Sequence, residues 1–330
     1  MTMDAAWKLN KRFCFSLTAS AKMRGVSLVE LMIAMAISLF VIGALLGVVM
    51  GASSTSKSRD VDAELQNNGR YAIEVIKNDL LHSGYLGVSS RVEPDVNLAN
   101  IPDPGVAITV VNPCDIANLG KLAIRVQGYS PPIPLVATCL GGTMYKDGDV
   151  LMVRGLAATP EPPGKTLVAG RIYFYSTYYK GMAFLGGTTP PALSVPGTVP
   201  PQIHALIENV FYVNPATGTE TPPIPALHRL HLGVGPNGPA MIDELVAGGV
   251  ETMGLSFGQM GGDLTTAFLP AKAVTEWDRV NSVRVWLLLR SSKPEAGYSN
   301  TTTYNVGDRQ VIAADGYHRL LLDTVVSLRN

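Results

Sequence analysis

Glu30 is the residue whose position asks for a chemical explanation. It lies in Arg24-Gly25-Val26-Ser27-Leu28-Val29-Glu30-Leu31, at the head of an apolar run that continues to about Ala52. No charged residue occurs from Leu31 to Ser56. A carboxylate inside a bilayer costs about 2.5–3.5 kcal/mol even on lenient insertion scales. A plain membrane anchor gains nothing from it and leaves the carboxylate unexplained. A second candidate is the cysteine pair. Cys14 precedes the apolar run, and Cys114 and Cys139 follow it. If the chain beyond the run is exported, a Cys114–Cys139 disulfide is the natural reading. It would close a loop of ~26 residues and stabilise by about 3 kcal/mol in the chain-entropy picture. Two buried free thiols are the alternative; a two-cysteine metal site lacks nearby histidines.

Other constellations carry less. Gly233-Val234-Gly235-Pro236-Asn237-Gly238 spells G-x-G-x-x-G. A dinucleotide site needs that turn to open a helix, and Pro236 and Pro239 predict a hairpin instead. His228 and His231 stand three apart on a predicted strand, so they point to opposite faces and chelate poorly. Asp147-Gly148-Asp149 reads as a turn, with a loop Ca²⁺ site as the alternative. Tyr173, Tyr175, Tyr178 and Tyr179 form an aromatic cluster. Strand alternation places Tyr173, Tyr175 and Tyr179 on one face, which suits a sheet surface better than a sugar platform. No H-E-x-x-H and no complete G-x-x-x-x-G-K-[ST] occurs, and neither G-x-S-x-G nor a Gly-Lys-Ser/Thr loop is expected. The expectation is a protein that is not an enzyme, with no catalytic, cofactor-binding or metal residues.

The elements that position these groups follow from composition. The chain has 330 residues and a formal net charge of zero. Its first 25 residues carry five basic side chains and one acidic. Positive charge ahead of a span places the N-terminus in the cytoplasm and the bulk of the chain across the membrane. Leu31 to Gly51 is long enough to cross, since a helix needs ~20 apolar residues. The run is longer than a discarded secretory signal needs, and the small residues Gly47 to Ser54 keep that reading as an alternative. No basic patch points to nucleic acid.

The helix is expected to continue. Val61, Leu65, Asn68, Ala72, Ile76 and Leu80 recur at steps of three and four, and Gly84 stands past the end as a stop. Gly69 inside it costs about 1 kcal/mol relative to Ala. From Ser27 to His82 such a helix would be roughly 80 Å long; a break around Ser53–Ser58 is the alternative. From Val88 onward, short β-rich runs alternate with Pro/Gly clusters. Candidate strands are Leu122–Gln127, Val150–Gly155, Arg171–Tyr179, Ile207–Val213, Leu227–Val234, Val250–Phe257, Val283–Arg290 and Leu320–Leu328. The expected fold class is α+β: a long N-terminal helix, one half in the membrane and one half amphipathic, packed on an antiparallel β-rich globular domain.

The stretch Gly25 to Ile33 resembles the class III leader of type IV prepilins and pseudopilins. In that family a prepilin peptidase cuts after the Gly and methylates the new N-terminus, and the fifth mature residue is Glu. The resemblance implies cleavage between Gly25 and Val26, methylation of Val26, and a docking role for Glu30. Val26 departs from the family's more frequent Phe or Met. Asn67-Asn68-Gly69-Arg70-Tyr71-Ala72, Asp79-Leu80 and Gly84-Tyr85 are similar to the PilW group of minor pilins. So are Trp277-Asp278-Arg279-Val280, Val283 to Ser291, and the closing Leu320 to Asn330, which ends in Leu-Arg-Asn.

The resemblance implies a type IV pilin-like fold in four parts. Residues 1–25 are a leader, 26–55 a transmembrane and filament-core helix, 56–83 its amphipathic half, and 84–330 a periplasmic domain. It implies a minor pilin that sits in the inner membrane and helps prime pilus assembly, in a setting of twitching motility and cell adhesion. Its partners would be prepilin peptidase, other minor pilins and the major pilin, inner-membrane lipid and the assembly platform, with no nucleic acid. A J-type pseudopilin of type II secretion is built on the same plan. A membrane-anchored periplasmic binding module or enzyme is the alternative of another class.

Overall fold

A computed structural model describes residues 25, 27–88, 122, 124–133, 139–145, 147–177, 181–190, 200–216, 218, 220–262 and 265–328. Val26, Cys114, Tyr178 and Tyr179 lie outside the described residues. The chain divides into two compact units, Met1–Lys57 and Ser58–Asn330. Helix α1 spans Leu28–His82 without interruption, so the backbone takes the continuous alternative and not the break near Ser53.

In the first unit, Leu28–Gly51 is 24 residues long and apolar enough to cross a membrane. Its side chains are exposed throughout, Phe40 at 80%. A helix apolar on every side and exposed among the described residues is suited to meet lipid or other helices.

In the second unit the same helix is one-sided. Leu65, Gly69, Ala72, Ile76 and Leu80 are buried while Glu64, Arg70 and Glu74 face outward. Gly69 does more than weaken the helix. A Cβ there would fall 2.4 Å from Leu322 Cδ1 and 3.0 Å from Leu289 Cδ1, so its hydrogen lets the helix press on the sheet. Gly84 ends the helix in the left-handed region, φ +72°. Its N–H donates to Arg154 O at 2.9 Å.

Two antiparallel sheets hold the rest. The larger orders β1 (Val126–Tyr129), β2 (Val150–Leu156), β5 (Gln202–Asn214), β3 (Ile172–Ser176) and β4 (Gly181–Leu185). Onto β5 it adds β6 (Ala226–Gly235) and then β7 (Gly238–Gly248). The smaller has the order β13-β10-β8-β9, with β8 Val250–Met260, β9 Thr266–Leu269, β10 Val280–Arg290 and β13 Arg319–Ser327. A hairpin, β11 (Thr303–Val306) with β12 (Arg309–Ile312), forms its own ladder beside β8. A four-residue helix, α2 (Gly141–Met144), precedes β2.

The buried stripe of α1 meets one face of each sheet in a single core that includes Ile76, Val153, Phe211, Leu255, Phe257, Val285 and Leu287. Strand β2 is buried at every position, since its other face, Val150 and Met152, packs into a second cluster with Leu140 and Tyr212. The charge within it, Arg154, meets its cross-strand partner Glu208 at 2.9 Å, both side chains nearly inaccessible.

The sequence-based strands need four corrections. Leu122 lies in a turn, buried in a satellite cluster, and β1 starts only at Val126. β3 ends at Ser176. Strand β7 is absent from the expectation because its Gly-Pro start and its Asp243-Glu244 pair read as loop; it is an edge strand, where such residues are tolerated. β4, β9, β11 and β12 are too short for periodicity to register. The G-x-G-x-x-G stretch is the hairpin expected of it, closing β6 on β7 with Gly235 opposite Gly238.

Candidate functional site

The structure places the residues around Glu30 in a recognisable arrangement. Ser27 stands ahead of the first helical residue and Glu30 lies in the first turn. The Ser27 N–H donates to Glu30 Oε2 at 3.0 Å, and the Val29 N–H donates to Ser27 Oγ at 3.3 Å. This is a reciprocal capping box, each side chain satisfying a backbone donor at the open end of the helix. Ser-x-x-Glu before an apolar run is its signal in the sequence. Glu30 is exposed and accepts this bond through one oxygen, leaving Oε1 for a second partner. Gly25, also exposed, stands just before the box.

A polar seat forms where the second half of α1 meets the large sheet. Asn209 Nδ2 donates to Asp79 Oδ2 at 2.7 Å, and an Arg229 Nη1 lies 3.5 Å from the same oxygen. Arg229 also donates to Glu244 at 2.7 Å. Burial pushes the Asp79 carboxyl up from its ordinary range, against the pull of Arg229 and Asn209. The hydrogen bond from Arg229 holds the Glu244 carboxyl down. These residues come from α1, β5, β6 and β7, so no local spacing could reveal them. One guanidinium stands between two carboxylates, and the seat ties the helix to the sheet.

The remaining candidates resolve into structural roles. Asp243 accepts from Tyr212 at 2.9 Å and meets His228 Nδ1 at 3.0 Å; His231 Nδ1 is 3.8 Å from Glu244. The two histidines thus address different carboxylates. Asp149 is buried at 1% and accepts the Leu255 N–H at 2.7 Å, while Arg309 donates to Asp147 at 3.1 Å. Burial pushes Asp149 up and Arg309 pulls it back, so a guanidinium already stands beside these carboxylates. Among the described residues no group of three His, Cys, Asp or Glu side chains could hold a metal ion. Tyr173 is fully buried and Tyr175 partly so. Cys139 is 9% exposed beside Ile133 and Leu140.

The expectation that neither G-x-S-x-G nor a Gly-Lys-Ser/Thr loop occurs is wrong by letter, but position denies both matches a catalytic setting. Gly254-Leu255-Ser256-Phe257-Gly258 spells G-x-S-x-G but runs through the middle of β8, not a strand-to-helix elbow. Gly164-Lys165-Thr166 lies in a Pro-rich loop, no helix follows it, and Lys165 pairs with Glu161 at 2.6 Å. That loop borders a groove of about 680 Å³ walled by Pro160, Pro162, Pro163 and Tyr175. Its two charges neutralise each other.

The family described as Type IV Pilus-assembly protein W matches residues 210–330. Over that stretch the chain is similar to PilW. The match runs from within β5 to the C-terminus and includes both C-terminal segments singled out in the sequence; α1 lies before it. No curated protein and no solved structure matches the chain. The PilW-like family supports involvement in type IV pilus assembly, and with the apolar helix it fits a membrane-anchored pilus protein.

Proposed function

We propose that this PilW-like chain is a minor pilin: a structural subunit, not an enzyme, that helps prime the pilus. The carrying observation is the capping box at the head of a lipid-exposed apolar helix. Cleavage between Gly25 and Val26 would leave Ser27 and Glu30 in place, so the box survives processing. The new N-terminal amine, methylated on Val26, keeps a positive charge near pH 7. Glu30 accepts one bond inside its own chain through Oε2, and Oε1 would receive the amine of a neighbouring subunit. Pairing removes two penalties at once, since each charge alone is costly in an apolar filament core. The helix would be anchored with the N-terminus in the cytoplasm and the domain in the periplasm. The peptidase, the other minor pilins, the major pilin and the assembly platform would be its partners.

A Cys114–Cys139 disulfide belongs to the same reading. It is supported by Cys139 being disulfide-bonded and by Cys114 being the one other cysteine beyond the leader. N-terminal sequencing of membrane-purified protein tests the whole. It should begin at Val26, and Gly25→Val should leave an uncut precursor. A start at Met1 or beyond Ser53 in the unchanged protein would sink the proposal. The pseudopilin reading predicts the same processing; secretion genes flanking this one, in place of pilus genes, would favour it.

A further inference from the structure

We infer that the free edge of β13 is a docking edge, taking an added strand from a different exported chain of the pilus assembly; this rests on the pilus reading above. The argument starts from how the edges of the two large sheets differ. β1, β4 and β9 are edges of four or five residues. β7 is long, but it carries Pro239, Asp243 and Glu244, and its pairing with β6 is bulged at Leu227/His228. Short length, proline, charge and bulges are how sheets keep other strands away. β13 is not short and carries no proline or bulge; its charges are Arg319 and Asp323. It runs nine residues, Arg319–Ser327, without proline, in unbroken register with β10 from Arg290 to Ser282.

The ladder fixes which peptide groups are free. Ser291 N–H donates to His318 O and Leu328 N–H donates to Asn281 O, both at 2.8 Å. In an antiparallel pair the bonded positions alternate. The even-numbered residues of β13 therefore bond to β10, and Arg319, Leu321, Asp323, Val325 and Ser327 turn N–H and C=O outward. Among the described residues no strand pairs with that side. The charges on β13 are also neutralised sideways. Arg319 bonds Glu251 at 2.7 Å and Asp315 at 2.6 Å, and Arg284 bonds Asp323 at 2.7 Å. Val325 is 51% exposed.

The central Asp323 disfavours a second copy paired over the whole strand. A second copy pairing along the full strand, antiparallel about its midpoint or parallel in register, sets Asp323 opposite Asp323. Like charges directly opposite destabilise a sheet. Both contacts from Arg284 go to Asp323 Oδ2, and Oδ1 is left for a cation across the edge. The partner is thus an extended segment with a Lys or Arg facing Asp323 and apolar residues facing Leu321 and Val325.

The test is residue-resolved amide exchange on the full chain in detergent, alone and co-expressed with the other pilin-leader proteins of its genome. Leu321, Asp323 and Val325 should exchange fast alone and at least tenfold more slowly in the complex, while even-numbered amides stay slow in both. Val325→Pro removes no bond to β10, because that N–H points away from it. It should reduce the recovered partner at least tenfold with an unchanged circular dichroism spectrum and melting point, and Val325→Lys should do the same. A complex that forms with these amides still fast overturns the docking edge and leaves the pilus reading standing. Failure of every pilin-leader protein to bind overturns both. Slow exchange in the chain alone, deepening with concentration, overturns the different-chain partner in favour of a second copy.

Discussion

Glu30 shows how one side chain can hold two roles that act at different times. In the isolated chain its carboxylate caps the helix by accepting the Ser27 N–H. An acidic residue there also suits the positive end of the helix dipole. Capping needs only an acceptor, whereas pairing with a neighbour's amine needs a charge. Glu30→Gln keeps the acceptor and loses the charge; Glu30→Val loses both. Both variants should insert and be cut normally, because a charge has left the span. Both should fall at least tenfold in sheared pili relative to membranes, as leaving a buried charge unpaired costs about 3–5 kcal/mol. If Glu30→Gln reaches pili at the unchanged ratio while Glu30→Val does not, the carboxylate is a cap and docking is wrong.

At the scale of elements, the contact of α1 with the smaller sheet is set by the absence of a side chain. Glycine inside a helix costs about 1 kcal/mol against Ala. Gly69 is retained where the helix lies over Leu289 and Leu322. Gly69→Val would place branched carbons into that packing, and overpacking a core costs about 1–3 kcal/mol. Urea unfolding of the detergent-solubilised chain should show a loss of that size. Gly47→Val, at a site with nothing within 4 Å, should leave the same transition unmoved. Gly69 was visible in the sequence only as a weakness in the helix. Its reason lies on β10 and β13, more than two hundred residues away, where no local pattern reaches.

At the scale of the whole chain, the proposed disulfide would link Cys139, just before β2, to Cys114. Peptide mass spectrometry of unreduced, membrane-derived protein should recover Cys114 linked to Cys139. Reduction should then lower the stability of the exported part by about 3 kcal/mol; two alkylatable thiols in unreduced material would count against the pairing. What the sequence determined by itself was whatever is local or one-dimensional. A 24-residue apolar span, a stripe at steps of three and four, the stop at Gly84 and the hairpin at Gly235–Gly238 each depend on neighbours along the chain. So did the likeness to PilW, read from short segments near both ends and matched over residues 210–330. Only the tertiary structure decided the rest. The seat of Asp79, Asn209, Arg229 and Glu244, the burial of Arg154 against Glu208, and the open edge of β13 are each made by strands distant in sequence. Which strand lies beside which depends on the free energy of closing long loops around a shared core, a property of the whole chain that no local spacing encodes.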